Sequence, residues 1–387
     1  MVILEEKVLD GVKCMTREDL IKMLPENYKE LCWEQKAMTR HRGIQDAEEL
    51  MMLILFYVSE HSLAEVAHYA KVEFGTIISD VGFMKRFKRC NEWVKSIIAQ
   101  MLDNEIIRYD VPEKLRGYKV IAVDGSDVRQ KGAVQKEYHL HYAVNLFTLS
   151  SESFKISPQQ EGETLKNFLF GKNTIVIGDR AYASITGIEH CLAQQTDFIL
   201  RIKNKAFKLY DKNGEESELS TVLKEVTEES CDFTLYYKQK EELKPIRFCA
   251  VKKTEEEIET EKKRIARQES KKQKSLSDDT KFTHKYFFVI TSLGDDFTSD
   301  EILNLYKLRW QVEMVFKRYK SILKLGSIPT KTDIAGQVWL NCKMLIALLI
   351  EKILSSVDFP PCADSSKYME GNEHSEAFDF SSVLYNR

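Results

Sequence analysis

Four short apolar segments lie in the middle of the chain, with a helical segment between the last two, and this order limits the fold more than any other feature. The apolar segments are YKVIAVDGSDVR at 118–129, HLHYAVNLFTLS at 139–150, NTIVIGDRAY at 173–182 and DFILRIK at 197–203. They are rich in β-branched and aromatic residues, which favour strands. The helical segment SITGIEHCLAQQ separates the last two. The pattern predicts an α/β core, within a chain that is α+β overall.

The composition is that of a folded protein without a strong overall charge. The chain has 387 residues, of which 43% are hydrophobic and 30% charged, with a net charge of −3. This length predicts two or three domains. The eight cysteines include no CxxC pair, which disfavours a zinc ribbon and indicates reduced thiols. We expect no signal peptide and no membrane span, since the run MLIALLI at 344–350 is too short to cross a bilayer.

The first part of the chain, at 14–107, is predicted to be helical. SLAE at 62–65 is a capping box, and its helix leads to Gly75 and a second helical segment at 76–102. A helix, a short turn and a helix suit a helix-turn-helix-like DNA reader, although a plain helical bundle with a basic surface has the same pattern. Basic residues that would meet phosphates are Lys85, Arg86, Lys88 and Arg89, together with Arg40, His41 and Arg42.

A charged region at 204–285 interrupts the strand pattern. It contains short alternating segments and then the stretch TEEEIETEKKRIARQESKKQK, which predicts a solvated helix followed by a loop. The strand YFFVITSL returns at 286, SDEI at 299–302 opens a long helix, and another helix covers 335–355. The polar tail beyond 358 contains two prolines and is predicted to be disordered.

The long helix carries a polar strip beside its apolar face. Tyr306, Glu313 and Lys320 fall within roughly 40° of each other at about 100° per residue, and Arg309 lies next to them. An ordinary solvated surface with an Arg309–Glu313 ion pair would also give this strip. The apolar strip for the core is Leu305, Leu308, Val312, Val315, Tyr319 and Ile322.

Two aspartates follow apolar strands, at the position where α/β sheets bind ligands. Asp124 and Asp179 are each predicted to end a strand, although an Asp in this position can simply begin a turn. With Glu313 they would form three carboxylates without a His or Cys partner, which favours Mg²⁺ or Mn²⁺ over zinc. The chemistry expected of such a site is phosphoryl transfer assisted by two metal ions.

These residues carry a resemblance to a known family. The spacing of Tyr306, Arg309, Glu313 and Lys320 matches the Tyr-(2)-Arg-(3)-Glu-(6)-Lys signature of one group of DDE transposases of bacterial insertion sequences. VDGS at 123–126 resembles the first acidic motif of that group, and IGDRAY at 177–182 resembles the second. SDVGFMKRFKR at 79–89 is similar to its N-terminal helical region. The resemblance covers roughly residues 35–355.

The resemblance implies a ribonuclease H-like catalytic core with a mixed sheet. It places an N-terminal helical DNA-binding region at 1–110, the core at 115–203 and 286–355, a β-rich insertion with a charged arm at 204–285, and a disordered tail at 356–387. Asp124, Asp179 and Glu313 would be the catalytic metal ligands, for two Mg²⁺ or Mn²⁺ ions. Tyr306, Arg309 and Lys320 would grip the DNA end, and Trp310 would stack on a base unless it is a core residue.

The implied function is cut-and-paste transposition. The enzyme would nick double-stranded DNA at terminal inverted repeats and join the 3′-hydroxyl to target DNA, acting as a homodimer in the bacterial cytoplasm at the nucleoid. A nuclease with the same core but no strand transfer, and an inactive DNA-binding derivative, remain alternatives.

Three features lie outside the family pattern. The insertion has no Trp that could hold a flipped base, so hairpin formation stays open; Tyr236, Tyr237 and Phe248 are the nearest aromatics. Asp127 is either an accessory ligand or a turn residue. His139 and His141 share one strand face, where they form either a metal pair or a structural pair.

Overall fold

The computed structural model describes most of the chain, as two compact units. The described residues are 17–41, 43–102, 111–130, 138–148, 150–158, 160–203, 206–226, 230–273, 275–310, 327–329 and 332–356. The first unit takes in Met1–Ile106, Val128–Glu137 and Lys317–Arg387, and the second takes in Ile107–Asp127 and Tyr138–Phe316. The predicted disordered tail lies outside the described residues from 357 onward.

The first unit begins with six helices. Between residues 17 and 102, the described residues form helices and their connections without a strand. The side chain of Asp46 caps α3 by accepting from the Glu49 N–H, and the predicted Ser62–Glu65 capping box opens α4. The helices are α1 (Arg17–Lys22), α2 (Tyr28–Glu34), α3 (Ala47–Val58), α4 (Leu63–Phe74), α5 (Asp80–Phe87) and α6 (Asn91–Leu102).

The predicted helix at 76–102 is two helices. Gly75 ends α4 in the left-handed conformation, with φ of 67°, and an extended stretch leads to Ser79. The Ser79 hydroxyl accepts from the Gly82 N–H and starts α5. After Phe87 the backbone closes tight turns, with the Arg89 N–H on the Arg86 carbonyl, before α6 begins at Asn91. The prediction of one continuous segment was therefore wrong.

A long apolar helix, which we label α12 (Asp333–Ser356), belongs to the same unit. It packs on α6, where the Asn341 amide donates to the Asn91 side chain at 2.9 Å. Its stretch Ile334–Ile353 is long and apolar enough to cross a membrane, but 78% of the most apolar window is buried inside the protein. The prediction of a buried core helix near 335–355 is confirmed.

The second unit is built on a large mixed sheet. Its strand order is β3-β2-β1-β4-β5-β10-β9-β8-β6-β7. The helix α7 (Ile185–Ala193) connects the parallel strands β4 and β5. The strands are β1 (Lys119–Gln130), β2 (Tyr138–Asn145), β3 (Ser151–Pro158), β4 (Thr174–Gly178), β5 (Asp197–Leu200), β6 (Leu209–Tyr210), β7 (Glu216–Ser217), β8 (Cys231–Gln239), β9 (Glu242–Lys252) and β10 (Tyr286–Thr291). A short strand, β11 (Ser327–Ile328), pairs with Arg129 and Gln130 at the end of β1, and this part belongs to the first unit.

Strand directions in this sheet differ from one region to the next. β4 pairs in parallel with β1 on one side and with β5 on the other. β2 and β3 are antiparallel to each other. On the other side, β10 is antiparallel to both β5 and β9. The helices and this mixed sheet confirm the predicted α/β class.

The strand prediction at 139–150 was incomplete. The structure has β2 and then a separate antiparallel strand, β3, after a turn in which the Asn145 side chain accepts from the N–H of Phe147 and of Thr148. The sequence of β3, SESFKISP, is mostly polar because it forms the edge of the sheet. An edge strand of this kind lacks the apolar signal that identifies buried strands.

The charged region at 204–285 continues the same sheet. β8 and β9 pair antiparallel with each other and β9 pairs with β10. The predicted solvated helix is α9 (Glu255–Lys272), which opens with a Thr254–Glu257 capping box and buries Ile258 and Ile265. The short α8 (Leu219–Val222) and α10 (Asp278–Thr283) complete the region. The boundaries of the predicted insertion and of the other predicted domains stay predictions.

Candidate catalytic site

The hydrogen-bond register of two parallel strands brings Asp124 and Asp179 to the same level. The register pairs Ala122 of β1 with Ile177 of β4. Asp124 and Asp179 each lie two residues beyond this last registered pair, Asp124 within β1 and Asp179 just after the end of β4. The two carboxylates are close enough for the charge of Asp179 to raise the pKa of Asp124.

The strand that carries Asp124 does not end there. β1 runs from Lys119 to Gln130, so the prediction that Asp124 ends a strand was wrong. Gly125 is required for a different reason. A Cβ atom at Gly125 would lie 2.5 Å from Oε1 of Glu163 and 2.6 Å from Nε2 of His139. The glycine therefore allows these two side chains to pack directly against the backbone of β1.

Burial changes the electrostatics of Asp124. The pKa of its carboxyl group is raised to about 6, chiefly by burial, and the nearby carboxylates of Asp179 and Glu163 act in the same direction. The Gly125 N–H, which donates to Oδ1 of Asp124 at 3.0 Å, and the charge of Arg309 act in the opposite direction. A carboxyl group in this position gains from a cation that can approach it.

Asp179 follows β4 and is fixed by the turn that comes next. Its Oδ1 accepts from the Ala181 N–H at 2.7 Å, and its carbonyl oxygen accepts from the Tyr182 N–H at 3.2 Å. The Ser184 hydroxyl then caps α7 by accepting from the Gly187 N–H. Asp179 is thus held by local hydrogen bonds in a turn between a buried strand and a capped helix.

The Tyr182 hydroxyl near these carboxylates is buried without a hydrogen-bond partner among the described residues. Its pKa is raised well above the ordinary value by burial and by the charges of Glu163, Asp124 and Asp179. Buried hydroxyl groups are normally hydrogen-bonded. This unsatisfied hydroxyl group fits a site that binds further polar groups, such as water or the ligands of a cation.

Two more predicted site residues lie near the aspartates, Tyr306 in α11 (Ser299–Lys307) and Arg309 in the turn after it, where its N–H donates to the Tyr306 carbonyl oxygen at 2.9 Å. This turn interrupts the long helix that the sequence predicted through both residues. Tyr306 is only 5% exposed, and burial raises the pKa of its hydroxyl group, whereas the charge of Arg309 acts in the opposite direction. The Arg309 guanidinium lies 6.0 Å from the Tyr306 ring centroid and is close enough to act on Asp124. The structure therefore brings together Asp124, Asp179, Tyr306 and Arg309.

Trp310 is 58% exposed, so the alternative of a core tryptophan was wrong. The other two members of the polar strip, Glu313 and Lys320, lie outside the described residues, which stop at 310 and resume at 327. Within the described part of the chain, no group of three His, Cys, Asp or Glu side chains is arranged to hold a metal ion. The assignment of Glu313 as the third ligand therefore stays a prediction.

The family assignment follows from comparison of the whole sequence. The model of the family described as "Transposase DDE domain" matches residues 115–350. The chain belongs to this DDE transposase family. The match spans the residues from just before β1 to well inside α12, and so includes Asp124, Asp179 and Arg309.

Curated relatives are transposases of bacterial insertion sequences. The transposase for insertion sequence element IS421 of Escherichia coli is 27% identical over 342 residues, covering 86% of this chain and 91% of the relative. The transposase for insertion sequence element IS231C of Bacillus thuringiensis subsp. berliner is 23% identical over 404 residues, covering 91% and 81%. This chain is therefore an insertion-sequence transposase, a DNA-processing enzyme.

One solved structure is similar at a lower level. The piggyBac transposase in its synaptic complex with hairpin DNA, determined by cryo-EM, has a TM-score of 0.43 and 9% sequence identity to this transposase. The similarity covers 87% of this chain and 73% of that one. A TM-score this low adds nothing to the fold assignment, which rests on the strand order.

The histidines of this transposase have structural partners. His139 lies between Asp127, at 3.0 Å from Nδ1, and Glu163, at 3.5 Å from Nε2. His141 contacts the Ser157 hydroxyl at 2.8 Å through Nε2, and its pKa is lowered to about 4, chiefly by burial. These contacts fit the structural alternative for the histidine pair. No sequence motif identified Glu163 beforehand, because it lies in a loop.

A basic cavity next to the site was also missed. Arg180 directly follows Asp179, and with Lys203, Arg264 and Gln268 it lines a cavity of about 440 Å³. Burial and the charge of Arg180 lower the pKa of nearby Arg201 to about 10. Only the Arg of the IGDR motif gave a signal in the sequence. The other basic residues come from the segment just after β5 and from α9, and their convergence depends on the tertiary fold.

The predicted phosphate-contacting residues of the first unit lie on and just after α5. Lys85 and Arg89 are exposed, and Arg86 and Lys88 are partly exposed. Arg40 and His41 are exposed as well, and His41 Nδ1 lies 2.6 Å from the Gln45 carbonyl oxygen. Arg42 lies outside the described residues.

Proposed function

We propose that this transposase moves its insertion sequence by cut-and-paste transposition, and that it belongs to the group with the Tyr-Arg-Glu-Lys signature. One observation supports the proposal: Asp124 and Asp179 each follow the registered β1–β4 pair Ala122–Ile177 by two residues, and the charges of Asp179 and Arg309 both act on Asp124. The enzyme would nick DNA at the terminal inverted repeats and join the 3′-hydroxyl to target DNA.

Asp124 and Asp179 fit a hard divalent cation, with Glu313 as the proposed third ligand. Their oxygens are the donors that Mg²⁺ and Mn²⁺ prefer, and burial disfavours a charged Asp124 without a counter-ion. The proposed occupancy is two ions. When bound, they would supply the charge that activates a hydroxyl nucleophile and stabilises the leaving oxygen.

The protein itself would position the DNA strand. Arg309 offers a planar fork to a phosphate group, and the carboxylate of Asp124 keeps its guanidinium near the cleavage site. The Tyr306 hydroxyl and the Lys320 ammonium would contact the same strand. Trp310 is exposed beside Arg309 and is free to stack on a base.

The first unit would bind the terminal repeats through Lys85, Arg86, Lys88 and Arg89. Two copies of the chain would pair two DNA ends as a homodimer, so that both cuts are made in one complex. We also propose the domain boundaries predicted from the sequence, including the β-rich insertion at 204–285. The enzyme would act in the bacterial cytoplasm, at the nucleoid.

The test is a cleavage and joining assay with the full-length protein. Labelled duplexes carry the inverted repeats that flank its gene, and a plasmid serves as target, with Mg²⁺, Mn²⁺ or EDTA. Metal-dependent cuts at the repeat tips with joined products support transposition. Nicks without joined products would leave a nuclease, and specific binding without cuts in either metal would leave a DNA-binding derivative.

Two variants make the assay specific to the proposed ligands. Glu313→Gln should abolish cleavage and keep repeat binding, because it keeps the size of the side chain and removes its charge. Glu215→Gln is the matched control, since Glu215 is exposed in the loop between β6 and β7 and is not a proposed metal ligand. Full cleavage by Glu313→Gln would contradict the assignment.

A further inference from the structure

The helix α5 has two opposite faces of different character. Phe83 and Phe87 are buried, at 1% and 0% exposure, and anchor one face in the first unit. Val81 is 64% exposed on the other face. At about 100° per residue, Val81, Lys85 and Lys88 fall within roughly 60° of each other, opposite the two phenylalanines. The exposed stripe thus combines one apolar and two basic side chains.

A second exposed apolar side chain precedes this helix. Ile77 is 84% exposed in the extended stretch between Gly75 and Ser79, whereas Ile78 next to it is 9% exposed. Ile78 therefore supplies the core contact of this connection, and Ile77 is left in solvent. Folding of the described unit gives Ile77 no packing role. We refer to Ile77 and Val81 as the α5 apolar pair.

The charges around the α5 apolar pair favour DNA as the occupant. Lys85 follows the pair within α5, and Lys88 and Arg89 come just after the helix. Lys85 and Arg89 are exposed. Interfaces between proteins are depleted in Lys, whereas a Lys- and Arg-rich helix suits the phosphate backbone. α5 has 8 residues, so it is roughly 12 Å long, which is comparable to the width of the major groove.

We propose that α5 enters the major groove of the terminal repeat and that Ile77 and Val81 contact thymine methyl groups there. The C5-methyl group of thymine is the apolar group that the major-groove edges of the bases present. The basic residues fix the helix on the phosphates and carry no sequence information, whereas the α5 apolar pair selects A·T pairs at defined positions. This inference rests on the proposed binding of terminal repeats by the first unit.

The test replaces thymine by uracil, which removes the methyl group and leaves base pairing unchanged. Repeat duplexes with single uracil substitutions are titrated against the full-length protein at fixed salt. Wild-type protein should lose about fourfold in affinity at one or two positions, the factor for one buried methyl group. Val81→Ala should lower affinity for the thymine duplex and should no longer respond to uracil at one of these positions. Ile77→Ala should do the same at another position.

Val72→Ala is the matched control, because Val72 is 58% exposed on α4 and lies outside the α5 stripe. It should keep the full response to uracil. A wild-type protein that binds every uracil duplex equally well, or variants that keep the wild-type response, would overturn the proposal. So would a change in oligomeric state in Val81→Ala without a change in DNA affinity, since the pair would then bind a second copy of the chain.

The same preparations separate this proposal from the proposed function. Specific repeat binding and joined products without any uracil effect would overturn the role of the α5 apolar pair alone. Failure to distinguish the repeat from a scrambled duplex would overturn repeat binding as well. Thermal melting of each variant shows whether it is folded; both side chains are solvent-exposed, so the melting temperatures should match that of wild type.

Discussion

The region around Asp124 and the exposed face of α5 both carry charged side chains, but the two sets of charges differ in their exposure to water. Around Asp124 the carboxylates are half-buried and accept hydrogen bonds from backbone N–H groups, and burial raises the pKa of Asp124 to about 6. On α5, Lys85 and Arg89 are exposed to solvent. Buried charges have a fixed position and a high desolvation cost, whereas solvated charges are mobile and screened by salt.

This difference separates two tasks of a transposase. Chemistry at one phosphate needs groups that are already in position, and a low-dielectric environment strengthens each interaction there. Search along DNA needs attraction that is independent of position, and solvated Lys and Arg provide it. Changes at the sheet end should therefore alter reaction and stability, and changes on α5 should alter affinity and its salt dependence.

The largest expected effect comes from Asp179→Asn. The substitution keeps the size of the side chain and its contact with the Ala181 N–H, and it removes the charge next to Asp124. We expect cleavage to fall by about 10³-fold or more, with repeat affinity within about twofold of wild type. Gel assays of cleavage and of binding on the same duplex measure both. Loss of binding to the same extent as cleavage would show that the two regions are not separate.

Acid should destabilise the protein through His141. Burial lowers its pKa from 6.5 to about 4, so the unfolded chain takes up a proton at a higher pH than the folded protein does. The contribution of neutral His141 is complete above pH 6.5 and is lost as the pH falls towards 4, by roughly 3 kcal/mol. Urea unfolding at several pH values measures this loss. His141→Gln should flatten the pH dependence in this window, and an unchanged slope would contradict the assignment.

Gly125→Ala tests the close packing of Glu163 and His139 against the backbone of β1. The new methyl group would meet Glu163 and His139, so we expect a loss of about 1–3 kcal/mol in the free energy of unfolding. Addition of Glu163→Ala to this variant should recover part of the loss, because it removes one of the two colliding side chains. Gly162→Ala is a control, since a Cβ there meets nothing within 4 Å.

Lys85→Ala should have a smaller effect, confined to DNA binding. Removal of one phosphate contact should lower the slope of log affinity against log salt by about 1 and weaken repeat and scrambled duplexes alike. Fluorescence anisotropy between about 50 and 200 mM salt gives this slope. Lys71→Ala is the control, because Lys71 is an exposed lysine on α4 and is not a proposed phosphate contact. An effect on the repeat duplex alone would mean that Lys85 reads bases.

Trp310→Ala should have the smallest effect on the protein itself. Its side chain is 58% exposed, so the free energy of unfolding should change by no more than about 0.5 kcal/mol. If Trp310 stacks on a base, the affinity for the repeat tip should fall by at least about fivefold. Trp33→Ala, at 37% exposure in the first unit, is a comparison for surface tryptophans.

The sequence predicted those parts of the site that depend on one element at a time. Asp124 and Asp179 were visible because each follows a run of apolar strand residues, and Tyr306 and Arg309 because helical periodicity separates them from the apolar strip. These patterns are local, and the strand order then brings them together.

The missed features depend on contacts between distant segments. The need for Gly125 comes from Glu163 and His139, and the basic cavity combines Arg180 with residues just after β5 and in α9. Only packing reveals either of them. The break between α5 and α6 was missed because apolar periodicity continues through the turns at 88–90. The edge strand β3 was missed because its polar sequence resembles a loop.

The alignment of Asp124 with Asp179 has a consequence for how this gene can change. Their relative position is set by a ladder of backbone hydrogen bonds from Lys119–Thr174 to Ala122–Ile177. Deletion of one codon inside either strand would shift the register by one residue and turn a carboxylate to the opposite face of the sheet. Length changes in the loop between β6 and β7 leave the ladder intact. Copies of this element should therefore accumulate insertions and deletions in such loops while they stay active, and the first inactivating length changes should be found within β1 and β4.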